Sequence, residues 1–185
     1  MDEATAIAQI KAGNVAGLRA LVEMYQAEAV QAACLITGDR AAAEDVVQTA
    51  FLRTFERIDR FEPSRPFRPW FLRMVVNDAL KVAARQKRHI SLEGEQHADY
   101  LALVQKLDTT RREPEEALQR KELREEVQQA LDRLSPRQRA AIVMHYFLDL
   151  SAAEVADQMR CAAGTIRWHL SVARERLRIL LAPFR

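Results

Sequence analysis

The stretch "SAAEVADQMRCAAGTIRWHL", residues 151–170, decides the fold. Ser151 followed three residues later by Glu154 is the capping-box signature of a helix start. Apolar residues then recur at three- and four-residue spacing, break at Arg160-Cys161-Ala162, and resume. Two short helices joined by a tight turn is the form many proteins use to enter the DNA major groove.

The helical wheel of the second segment separates two faces. At about 100° per residue, Leu170, Ala173, Leu177 and Leu180 fall within roughly 40° of Ile166. That stripe is the expected core face. Arg167, Ser171, Arg174 and Arg178 fall on a flank, and Trp168 lies nearly opposite the stripe. The periodicity therefore predicts an exposed indole on a basic helix, able to pack on a sugar or a thymine methyl. Arginine suits such a face because its fork pairs with guanine edges or clamps phosphates. Thr165 and Arg167 stand near the helix N-terminus, the end that enters the groove.

The chain outside this segment is also helical in pattern. It has 185 residues, 49% hydrophobic, with only 5 glycines and no convincing apolar–polar alternation, so an all-α fold with a real core is expected. "NVAGLRALVEMYQAEAVQAACLITG" reads as a helix ending at Gly38, a left-handed cap, and the next helix starts at Asp39. "EPSRPFRPW" breaks helicity with three prolines, and a long helix is expected from about Pro69 to Arg88. Residues 90–112 have weak periodicity and read as a linker, although "YLALVQKL" has the apolar content of a short helix. Glu113-Pro114 opens a charged helix to about Leu134. Ser135-Pro136 opens another, with Gln138 completing a capping box.

A formal net charge of only +2 hides strong segregation. Residues 1–51 carry net −4, residues 52–88 net +6, residues 89–159 net −5 and residues 160–185 net +5. Two basic blocks held apart by an acidic one fit two phosphate-facing surfaces. Cys34 and Cys161 make no metal-ligand spacing and read as small buried residues. The four histidines are scattered, and no phosphate loop or nucleophile elbow appears, so catalysis is not expected. The acidic start does not read as a secretory signal, and no apolar run approaches the roughly 20 residues of a membrane span. A reducing cytoplasm fits best.

Residues 131–178, from "LDRLSPRQRAAIVMHYF" to "TIRWHLSVARERLR", resemble region 4 of bacterial sigma factors of the extracytoplasmic-function group. "ITGDRAAAEDVVQTAFLRTFERIDRF" resembles sigma region 2, with its E-D-x-x-Q-x-x-F core at Glu44, Asp45, Gln48 and Phe51. "WFLRMVVNDALKVAARQKR" resembles the W-L-x-x-I-A-x-N stretch that continues it. The resemblance implies two small helical domains, residues 1–89 (region 2) and 116–185 (region 4), joined by a flexible linker over 90–115.

It further implies a factor that binds core RNA polymerase, directs it to promoters and helps open the duplex. Glu44, Asp45 and Gln48 would meet the polymerase. Arg73, Asn77, Lys81, Arg85, Lys87 and Arg88 would meet the −10 element. Thr165, Arg167, Trp168, His169, Ser171, Arg174 and Arg178 would meet the −35 element. Holding extruded bases must offset a few kcal/mol of stacking and pairing per base. Partners beyond core polymerase and promoter DNA would include an anti-sigma factor, which in this family also offers a route to the membrane. The linker from Ser91 to Arg112 would run through the polymerase near the template strand. No cofactor, metal ion or small-molecule substrate is implied.

Phe51 and Phe55, four apart, are expected in the core, as is Trp70 among Phe67, Phe71 and Met74. The sequence also departs from the family pattern. Val76 stands where arginine is frequent, and Lys81 where aspartate is. Arg160 replaces a turn glycine, Ala162 a serine cap, Trp168-His169 a Ser-Arg pair and Val172 another arginine.

Two other readings compete. "TIRWHLSVARERL" also resembles the recognition helix of LuxR-type regulators, which would place an α/β receiver or ligand-binding domain upstream. A pure interaction protein that binds polymerase but not DNA is the other.

Overall fold

The computed structural model describes residues 1–90 and 114–182, with side chains described throughout except at 87–90 and 114–122. The expected linker, save for its ends, and "YLALVQKL" lie outside the described residues. Every regular element among the described residues is helical.

Helix α1 spans Glu3–Lys11 and is capped by Asp2, whose carboxylate accepts from the Thr5 N–H at 2.9 Å. It is absent from the sequence expectation. Its nine residues carry little amphipathic signal, and packing on the next helix stabilises it instead. Helix α2 spans Val15–Thr37. Its Gly17 lies so close to α1 that a Cβ there would sit 2.2 Å from the Ala6 carbonyl oxygen. Asn14 caps the start of α2, and Gly38 ends it in the left-handed conformation at φ 73°, donating to the Cys34 carbonyl at 2.8 Å.

Helix α3 spans Arg40–Arg57, with the Asp39 carboxylate accepting from Ala42 N–H at 3.1 Å. A 3-10 turn, Ile58–Arg60, follows. Helix α4 spans Phe67–Ile90 and starts two residues before Pro69. That proline sits in the first turn, where a backbone N–H has no intrahelical acceptor to lose. The earlier start brings Phe67 into an aromatic core. It stacks on Phe71 at 5.8 Å between centroids, and Phe71 stacks on Phe51 at 4.5 Å. Trp70 is half-buried against Phe61 and Phe67, which meets the core expectation.

In the C-terminal unit, α5 spans Pro114–Asp132, α6 Pro136–Ile142, α7 Ala152–Met159 and α8 Ala163–Leu180. Both expected capping boxes are formed, Ser135 with Gln138 and Ser151 with Glu154. Between α6 and α7 the chain makes a π-helical turn, Val143–Phe147, closed by the Leu148 N–H donating to the Val143 carbonyl at 3.0 Å.

The buried apolar residues of both units form one continuous cluster. Arg139 of α6, only 8% exposed, stands where they meet. It donates to the carbonyls of Leu131, Ile36 and Asp132 at 3.0, 3.0 and 3.1 Å and pairs with the Asp132 carboxylate at 2.9 Å. The last turn of α2 has no basic residue of its own. Arg139 supplies that cation from the other unit, at the negative end of the α2 dipole. Burial lowers the Arg139 pKa, and the Asp132 charge counters it.

Cys34 is buried, and burial, followed by the Asp39 charge, pushes its thiol up to about 12. Cys161 is only half-buried, because it lies in the turn between α7 and α8.

Candidate nucleic-acid interface

The α7–α8 pair is a helix-turn-helix. The Ser151 capping box fixes where α7 begins. Arg160 ends it in the left-handed conformation at φ 51° and ψ 53°, its N–H directed to the Ala156 and Asp157 carbonyls. A Cβ in that conformation costs roughly 1–2 kcal/mol. Ala162 begins α8 with no side-chain cap. Both departures from the family pattern thus fall where this turn is built.

Ile166, Leu170 and Ala173 are buried, as the wheel predicts, whereas Leu177 and Leu180 are half-exposed as α8 runs past the core. Thr165, Arg167, Trp168, Ser171, Arg174 and Arg178 are all exposed, with Trp168 at 58%. Arg178 is held by Glu175 at 2.7 and 3.0 Å. Among the described residues, no carboxylate lies within ion-pair distance of Arg167 or Arg174. The expected reading face is therefore presented with two uncommitted guanidinium groups. His169 differs: it is half-buried beside Trp168, with ring centroids 5.0 Å apart, and its Nδ1 is sealed without a partner. Burial, then the Arg137 charge, lowers its pKa.

On α4, Arg73, Asn77, Lys81 and Arg85 recur every four residues along one face. Lys81 and Arg85 are exposed and Asn77 is half-buried. Lys81 is paired with Asp78 at 2.7 Å, and Asp78 also accepts from Arg53. Arg73 reaches the C-terminal unit, donating to the Asp157 carboxylate at 3.1 Å and its carbonyl at 3.0 Å. The side chains of Lys87 and Arg88 lie outside the described residues.

On α3, Asp45 and Gln48 are exposed, while Glu44 is half-buried and held by Arg40 at 2.7 Å. The same face continues with Leu52, 62% exposed, and Phe55, 37% exposed. Phe55 therefore does not join Phe51 in the core. Four residues of helix rotate it by about 40°, and Phe51 alone meets Phe71. Leu52 was legible on the wheel, seven residues after Asp45, and is an addition to the expected partner face.

Among the described residues no group of three or more His, Cys, Asp or Glu side chains could hold a metal ion, and no helix is long and apolar enough to cross a membrane.

Two helical units, the second ending in a helix-turn-helix with a basic outward face, define a DNA-binding protein. Residues 21–89 match the family model for sigma-70 region 2, and residues 124–177 that for sigma-70, region 4. The chain is 28% identical to the ECF RNA polymerase sigma factor SigW of Bacillus subtilis, over 93% of this chain and 92% of that protein. It is 29% identical to the ECF RNA polymerase sigma factor SigL of Mycobacterium tuberculosis, over 92% of each. Its fold matches that of CnrH, solved in complex with the cytosolic domain of CnrY, with a TM-score of 0.68 at 23% identity, covering 98% of this chain and 97% of that one. The sigma factor RpoE of Bartonella quintana, solved with the anti-sigma factor NepR, also gives a TM-score of 0.68, at 22% identity over 90% and 98%. The chain belongs to the sigma-70 family, as a sigma factor of the extracytoplasmic-function type. The LuxR-type reading fails at the first unit, which matches region 2 and is helical where an α/β domain was required.

Proposed function

We propose that this chain is an initiation factor that binds core RNA polymerase, directs it to promoters through −35 and −10 elements, and promotes strand opening, contributing no covalent chemistry of its own. The observation that carries the reading is the outward face of α8, where Arg167, Trp168 and Arg174 stand exposed on a helix whose opposite side is locked into the core. Thr165, Ser171 and Arg178 extend that face, and His169 supports it from beneath. On α4, Asn77, Lys81 and Arg85, with Arg73, Lys87 and Arg88, meet the −10 strand. On α3, Asp45, Gln48 and Glu44 meet the polymerase, and exposed Leu52 adds an apolar anchor beside them. An anti-sigma factor covers these faces in the inactive state and is the link to the membrane for an otherwise cytoplasmic protein. The linker from Ser91 to Arg112 runs near the template strand inside the enzyme.

The test is mapping of transcript starts made in vitro by core polymerase with and without this chain. Specific new starts are expected. They should be lost in Arg167→Glu/Arg174→Glu, which keeps polymerase binding, and in Asp45→Lys/Leu52→Asp, which loses it. The absence of any specific start with the unaltered chain overturns the reading. Retention of the same starts by Arg167→Glu/Arg174→Glu overturns the assignment of α8.

A further inference from the structure

Asp78 of α4 keeps only 13% of its side chain accessible and holds two cations at once. Its Oδ1 accepts from the Lys81 Nζ at 2.7 Å, and its Oδ2 accepts from Arg53, which reaches across from α3. Each oxygen of one carboxylate thus carries its own cation. One negative charge cannot neutralise two positive ones, so the trio keeps a positive charge in surplus.

That surplus is open to solvent. The Arg53 and Lys81 side chains are 37% and 66% accessible, while the carboxylate between them is nearly enclosed. Both keep donors beyond those spent on Asp78, because a guanidinium carries five N–H groups and an ammonium three. Arg53 also stands apart from the face of α3 that carries Asp45, Gln48 and Leu52. It follows buried Val46 by seven residues, which places it about 20° from that residue, on the flank that meets α4. The cation from α3 therefore joins the α4 row of Asn77, Lys81 and Arg85 rather than the outward face of its own helix.

We propose that Arg53 and Lys81 together form a phosphate site for single-stranded DNA, and that Asp78 is its positioning residue, fixing both cations before the strand arrives. This rests on the DNA-facing role of α4 proposed above. Long cationic side chains are rich in rotamers, and holding them in advance removes that ordering cost from binding. A carboxylate enclosed between two cations aligns their remaining donors more than it repels the incoming phosphate.

The test is a salt titration of the full chain on fluorescein-labelled oligothymidylate, read by fluorescence anisotropy. Each phosphate contact on a single strand contributes about 0.7 to the slope of log affinity against log salt. Arg53→Gln and Lys81→Gln should each lower the slope by about 0.7, whereas Arg53→Lys should retain it. Asp78→Asn adds net positive charge yet should bind about two- to tenfold more weakly, the cost of ordering one freed side chain. Glu56→Gln makes the same charge change at an exposed site on α3 and should bind no more weakly than the unaltered chain. A lowered thermal midpoint with an unchanged slope in Arg53→Gln makes the pair a brace between α3 and α4 and overturns the phosphate site. Binding by folded Asp78→Asn at or above the affinity of the unaltered chain overturns the positioning role. If Asp78→Asn does not fold, the slopes of Arg53→Gln and Arg53→Lys still decide the site. No measurable binding by the unaltered chain overturns it as well. The titration needs no polymerase, so failure of specific initiation overturns the sigma reading alone.

Discussion

Arg139 and Ile36 lie 103 residues apart in the chain, yet the Arg139 guanidinium donates to the Ile36 carbonyl at 3.0 Å. The same side chain satisfies two carbonyls at the end of α5 and pairs with Asp132. Arg139→Met keeps the apolar stem and removes every donor. It is expected to cost roughly 3 kcal/mol, as for one partner lost from a buried pair. Urea denaturation checks this, and Arg139→Lys should recover part of the loss.

Gly17 tests the packing of α1. Alanine improves helix propensity by about 1 kcal/mol. Here its methyl would meet the Ala6 carbonyl oxygen at 2.2 Å, a backbone atom that moves only with the whole helix. Gly17→Ala should therefore be destabilising overall, by about 1–3 kcal/mol. Faster hydrogen exchange at the α1 amides is the accompanying signature.

The turn between α7 and α8 is open to improvement. Arg160→Gly removes a left-handed Cβ, offset in part by the freedom of glycine in the unfolded chain. Ala162→Ser adds the missing cap, worth about 1 kcal/mol. Together they should raise the thermal midpoint by several degrees, as read by circular dichroism. Neither residue is on the outward face of α8.

His169 makes stability pH-dependent in a window of its own. Burial and Arg137 hold its folded pKa below the ordinary 6.5. Above pH 6.5 the ring is neutral folded or unfolded, and its full contribution is present. As pH falls through 6.5 the unfolded chain takes the proton first, so stability declines until the folded pKa is reached. The lowered carboxyls of Glu154 and Glu175 act only below their ordinary 4.5. Denaturation midpoints between pH 5.5 and 7.5 should slope in the unaltered chain and flatten in His169→Gln.

What the sequence made legible is local chemistry. Asp39, Ser135 and Ser151 declare helix starts because each bonds a backbone N–H three residues on, a relation contained in the sequence itself. The stripe of Ile166, Leu170 and Ala173 is legible for the same reason. The missed features depend on distant partners. Helix α1 relies on Gly17, the early start of α4 on the rings around Phe67, and the exposure of Phe55 on where Phe71 ends the core. The π turn at 143–147 has no residue that announces it. At the candidate site, the exposed arginines and Trp168 were readable by rotation alone. The engagement of Arg73 by Asp157 was not, because it joins residues 84 apart.

Helix α8 divides its labour: Ile166, Leu170 and Ala173 are buried, and Arg167, Trp168, Ser171 and Arg174 are exposed. The face proposed to read DNA can therefore be rewritten without disturbing the scaffold. Surface changes of this kind stay within about 0.5 kcal/mol of the parent stability. With promoter choice assigned to α8 as proposed, duplicated copies of such a gene are free to drift toward new promoters one side chain at a time, and a designer can exchange the four outward letters as a cassette.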